Sequence, residues 1–151
     1  MPSSDRIEKT VLLRAPRSRV WRALTDCREF GAWFRVELDG PFVEGATVRG
    51  RITHPGYEHV TMEMRIVRMD PERLFSYRWH PYAISPEVDY SAEPTTLVEF
   101  RLNDEAGGTR LTLVESGFDE LPHDRRDEAF RMNEGGWSEQ MRNIERHVSP
   151  A

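Results

Sequence analysis

The chain has 151 residues, 38% of them hydrophobic and 31% charged, with a net charge of −5. That length suits a single domain over residues 1–151 with its own core, and the modest, dispersed charge gives no reason to expect nucleic acid or an anionic membrane as partner. The lone cysteine, Cys27, excludes an intrachain disulfide and a cysteine metal cluster, and no apolar run is long enough for a signal peptide or membrane span, so a cytoplasmic protein is expected.

The first segment, "RIEKTVLL", alternates and predicts a strand over Arg6–Leu13, with Ile7, Lys9, Val11 and Leu13 on one face. Pro16 then opens a helix. "RSRVWRALTD" groups Val20, Trp21 and Leu24, and "REFGAWF" groups Phe30, Trp33 and Phe34, so two short helices are expected to meet near Asp26 to Arg28. Beyond them the period changes to two. "TVRGRIT", "HVTMEMRIVRM", "LFSYRWH", "TTLVEFRL" and "TRLTLVES" each place apolar residues on one face, separated by turn-forming Pro, Gly, Asp and Asn. This is an antiparallel meander of about six strands that follows the first strand and the two short helices. The long proline-containing stretch 80–94 is read as a loop that could cover a cavity mouth. From His123 to Val148, Phe130, Trp137, Met141, Ile144 and Val148 form a helical stripe. Inside that helix lie Gly135 and Gly136, each unfavourable there by about 1 kcal/mol relative to alanine. Gly136 borders the stripe, where it leaves room for a strand or a ligand, and Gly135 is read as a bend.

"APRSRVWRALTDCREFGAWF", "DYSAEPTTLVEFRL", "GTRLTLVESGF" and "EGGWSEQMRNIERHV", in that order, resemble the START-like or SRPBCC superfamily. The resemblance is to its bacterial branch similar to the C-terminal domain of the activator of the ninety-kilodalton heat-shock protein ATPase. It implies an α+β helix-grip fold: a curved antiparallel sheet of six to seven strands around a long C-terminal helix, with the first strand beside the last. It also implies an apolar cavity between sheet and helix.

The candidate cavity residues are Trp33, Met62, Met64, Phe75, Tyr77, Trp79, Phe100, Glu115, Asn133, Gly136, Trp137 and Gln140; for the apolar ones the alternative is plain core packing. Glu115 shares parity with Leu111 and Leu113, so it points toward the helix. Lys9 has inward parity on the strand that the resemblance puts next door, which suggests a Lys9–Glu115 ion pair; the alternative is a Glu115 that is exposed or bonded to backbone where the strand leaves the sheet. His54, His59, His80, His123 and His147 show no metal-binding spacing, the serines lack a nucleophile-elbow context, and no cofactor is implied. The leading expectation is a module that binds a small apolar or aromatic molecule, with homodimerisation open. The alternatives are a cyclase- or hydratase-type enzyme using Glu115, Tyr77, Asn133 or Gln140, and a chaperone-activator-like interaction domain.

Overall fold

A computed structural model describes residues 6–81, 83, 89, 90 and 92–149. The alternating first segment forms β1 (Arg6–Leu13), and two helices follow, α1 (Arg17–Thr25) and α2 (Cys27–Phe34). Asp26 separates the helices and caps the second: its carboxylate accepts from the backbone N–H of Arg28 at 2.9 Å and Glu29 at 3.3 Å, satisfying donors that a helix start leaves free. Arg35 closes α2 in the left-handed region, at φ 68°. The chain then folds back so tightly that a Cβ on Gly31 would lie 2.3 Å from the Val36 carbonyl oxygen.

That reversal creates β2 (Val36–Leu38), a strand the periodicity does not reveal because three residues are too few to show alternation. The meander continues through β3 (Thr47–Ile52), β4 (Thr61–Asp70), β5 (Leu74–Trp79), β6 (Thr96–Glu105) and β7 (Gly108–Ser116). The seven strands form one antiparallel sheet in the order β1-β7-β6-β5-β4-β3-β2. The first strand does lie beside the last, as the resemblance implies. A bulge between Ile66 and Arg68 interrupts the β4–β5 ladder.

The last helix, α3 (His123–Val148), runs unbroken through the glycine pair. It packs Trp137, Met141, Ile144 and Val148 toward the sheet. The core between them is largely aromatic. Phe30, Phe75, Tyr77 and Phe100 are fully buried, and Trp33 is 4% exposed. Trp33 donates its indole N–H to the Ala23 carbonyl at 2.9 Å, which satisfies its one polar atom within the core. This is an α+β helix-grip fold. Among the described residues no helix is long and apolar enough to cross a membrane.

Candidate functional site

Strand alternation sends Trp79, Thr96 and Glu115 to the same inward face of three adjacent strands. Trp79 stands opposite Thr96 across the β5–β6 ladder, and Val98 stands opposite Glu115 across β6–β7. On α3, Asn133 and Trp137 are four residues apart and project from one face. These two sets meet at Glu115. Its Oε2 accepts from Thr96 Oγ1 at 2.6 Å and Trp79 Nε1 at 2.7 Å. Its Oε1 accepts from Trp137 Nε1 at 2.8 Å. Asn133 Nδ2 reaches both oxygens, at 3.0 and 3.2 Å.

Glu115 is 0% exposed, and among the described residues it has no salt-bridge partner. Burial pushes its carboxyl above the ordinary 4.5, against the opposing pull of the hydrogen bonds from Thr96, Trp79, Trp137 and Asn133. The expected ion pair with Lys9 does not form. Ladder register seats Ile7 opposite Glu115 and puts Lys9 opposite Leu113. Parity assigns both charged residues to one face but cannot assign them to the same rung. The cage of neutral donors has no local sequence signature, since the donors lie on two strands and a helix and the carboxylate on a third strand.

The Tyr77 hydroxyl is also buried, and it has no hydrogen-bond partner among the described residues. Burial, reinforced by the Glu115 charge, pushes this phenol well above its ordinary 10.0, so it stays neutral.

Beside this cage, between α3 and the β3–β5 side of the sheet, lies a cavity of about 880 Å³. Phe34, Ile52, Val60, Met62 and Trp79 form its apolar wall, and Asn133, Gly135, Gly136 and Gln140 form its helical wall. Phe34, Trp79 and Trp137 pack as a triangle with centroids 5.7 to 6.0 Å apart, so the wall continues directly into the core. A Cβ on Gly135 or Gly136 would meet nothing within 4 Å. Both glycines therefore open onto the cavity, and Gly135, read from sequence as a bend, belongs to the same wall. Gln140 is fixed at both ends, donating to the Phe34 carbonyl at 3.0 Å and accepting from Asn143 Nδ2 at 3.0 Å.

Five of the twelve sequence candidates line this cavity: Met62, Trp79, Asn133, Gly136 and Gln140. Trp33, Met64, Phe75, Tyr77, Phe100 and Trp137 are instead buried among core side chains, and Glu115 lies behind the wall. Sequence reasoning missed Phe34 and three histidines at the cavity: His54, His59 and His80. They come from segments flanking turns, where no periodicity tells which way a side chain faces. Part of the 80–94 loop, residues 82, 84–88 and 91, lies outside the described residues. At the rim, His80 Nε2 lies 3.1 Å from the Glu93 carbonyl oxygen. Arg125 joins Glu93 at 3.0 Å and the Pro81 carbonyl at 2.7 Å, and lies 4.8 Å from the centroid of the Tyr90 ring. A second depression of about 630 Å³, near the start of α1 and the β6–β7 turn, is an open surface dent whose Arg17 and Asp104 pair at 2.8 Å.

Comparison with curated protein sequences finds no match. Several solved structures share the fold. DynU16, a protein in the dynemicin biosynthetic locus, is 22% identical with a TM-score of 0.74, covering 97% of this chain and 48% of that one, so this chain spans about half its length. Protein MLL2253 from Mesorhizobium loti is 20% identical with a TM-score of 0.74, covering 95% and 96% of the two chains. The Aha1 dimer from Colwellia psychrerythraea, a solution structure, is 14% identical with a TM-score of 0.72, covering 95% and 96%. Residues 14–149 match the family described as Activator of Hsp90 ATPase homolog 1-like protein, and the chain belongs to that family.

Proposed function

We propose that this protein binds a small apolar or aromatic molecule in the cavity between sheet and α3. The observation that carries the reading is the cavity of about 880 Å³ whose helical wall is opened by Gly135 and Gly136. Its size falls within the roughly 300–1,000 Å³ common for small-molecule sites. Its wall combines aromatic and aliphatic surface with a few fixed polar groups, the mixture such sites use for affinity and orientation.

The positions of Glu115 and Tyr77 favour binding over acid–base catalysis. A catalytic acid or base must come within hydrogen-bond reach of the reacting atom. Both side chains are fully buried, and neither lines the cavity. The test is native mass spectrometry combined with thermal-shift screening against a panel of aromatic compounds and lipids. A bound adduct and a raised Tm for members of one chemical class are expected. If no compound adds mass or shifts Tm, and Gly136→Leu behaves as wild type throughout, the binding reading fails. The same spectra report whether this chain, like the Colwellia relative, is a dimer.

A further inference from the structure

Four donors cluster near the inner wall of the cavity: Trp79 Nε1, Thr96 Oγ1, Asn133 Nδ2 and Trp137 Nε1. All four point at Glu115. Both Glu115 oxygens already accept from these donors, so turning the Asn133 oxygen toward them would set lone pairs against lone pairs. The network thus fixes the Asn133 amide with nitrogen toward Glu115 and Oδ1 away from it. Asn133 is half-buried and lines the cavity, and its Oδ1 has no hydrogen-bond partner among the described residues. Gln140, two turns further along the same helix face, is held by Phe34 and Asn143. The inner wall therefore offers a ligand an oriented acceptor, while the nearby donors are engaged with Glu115.

We infer that the cavity selects ligands carrying a hydrogen-bond donor on an apolar ring, a phenolic or alcoholic hydroxyl or an N–H, and that Glu115 is the positioning residue that sets this preference by locking Asn133. The inference deepens the binding reading above and rests on it. A carboxylate on the ligand meets an acceptor where it needs a donor. An ether of the same shape fits the apolar wall but leaves Asn133 Oδ1 desolvated and unpaired.

The experiment titrates the full chain at neutral pH with 2-naphthol, 2-methoxynaphthalene and 2-naphthoate by isothermal calorimetry. One neutral hydrogen bond gained or lost corresponds to about a fivefold to tenfold change in Kd. Wild type is expected to favour 2-naphthol over the ether by about that factor, with 2-naphthoate weakest. In Glu115→Gln the new amide both donates and accepts, so Asn133 can sit either way round. The naphthol-to-ether ratio then falls toward one. Asn133→Ala removes the acceptor itself and lowers the same ratio, which keeps the test decisive if Glu115→Gln fails to fold by circular dichroism. Equal wild-type affinities for naphthol and ether, or a ratio unchanged in the variants, would overturn this inference and leave the cavity reading standing. Absence of binding by all three probes and by the wider panel overturns both.

Discussion

Trp137 on α3 donates its indole N–H to the Glu115 carboxylate of β7 at 2.8 Å, so helix and sheet are joined by a polar contact inside an aromatic core. Three further donors converge on the same carboxylate. Truncating Glu115 removes one side chain but strands four donors, of which two indoles and a buried threonine have no other partner among the described residues. Each unsatisfied buried donor costs about 1–3 kcal/mol, and packing relaxation recovers only part of that. Glu115→Ala is expected to lose at least about 3 kcal/mol in urea unfolding, and Glu115→Gln less. A loss under about 1 kcal/mol for Glu115→Ala would show that the cage contributes little.

The same cage sets a pH dependence. The Glu115 carboxyl is raised in the folded state from 4.5, because burial outweighs the donors. The folded protein then holds this proton at pH values where the unfolded chain has released it. Stability contributed by protonated Glu115 is full below pH 4.5 and is lost as pH rises through the folded value. Urea midpoints of wild type and Glu115→Gln, measured from pH 4 to 7, should show the wild type losing ground to the variant as pH rises. The opposite trend would mean that the four donors override burial.

Glu29 runs the other way. It sits between Arg19 at 2.6 Å, Arg22 at 2.8 Å and His147 at 3.0 Å, tying both short helices to the end of α3. Burial acts to raise its carboxyl, but hydrogen bonds from His147 and Arg19 and the charges of Arg19 and Arg22 prevail and hold it below 4.5. Its contribution is present above pH 4.5 and lost as pH falls through the folded value. Wild type should exceed Glu29→Gln in stability at neutral pH and converge with it in acid. The gap should be small, since the cluster is partly exposed and solvent-screened. A gap that widens on acidification contradicts this.

Tyr77 offers a contrast to Glu115. Its hydroxyl is buried with no partner among the described residues, so the group was desolvated without compensation. Tyr77→Phe keeps the ring among Phe30, Phe75, Trp79 and Phe100 and removes only that oxygen. The variant is expected to match or exceed wild-type stability by up to about 1 kcal/mol, read as an equal or higher Tm. A clear fall in Tm would reveal that the hydroxyl has a partner.

These residues also mark what the sequence discloses. Alternation placed Leu111, Leu113 and Glu115 on the inward face, and burial agrees. The helical stripe correctly predicted Trp137 and Ile144 as buried. Period-based reading fails where the decisive quantity is register or layer depth. Met62 and Met64 have the same parity, yet Met62 lines the cavity and Met64 is core. Likewise Lys9 and Glu115 share a face but not a rung. Phe34 was legible as part of an apolar cluster, whereas its place at the cavity follows from the sharp turn after α2, which brings its carbonyl to Gln140.

The glycine pair in "MNEGGWSEQM" gives the sharpest separation of stability from function. Helix interiors disfavour glycine by about 1 kcal/mol each, and here neither backbone geometry nor crowding demands it: an added Cβ at either position meets nothing within 4 Å. Gly135→Ala should therefore stabilise the protein by about 0.5–1 kcal/mol. Gly136→Leu should fold with a Tm at or above wild type, because leucine is a good helix former and the space is open. Its side chain would occupy the cavity between Trp79 and the helix, so ligand-induced Tm shifts should shrink or vanish. A stable Gly136→Leu protein with undiminished ligand response would place the binding site elsewhere. A Gly136→Leu protein that unfolds would mean that the space is closed in solution by a neighbouring segment. The combination of raised stability and lost binding is the outcome expected if the helix keeps glycines there for the sake of the cavity.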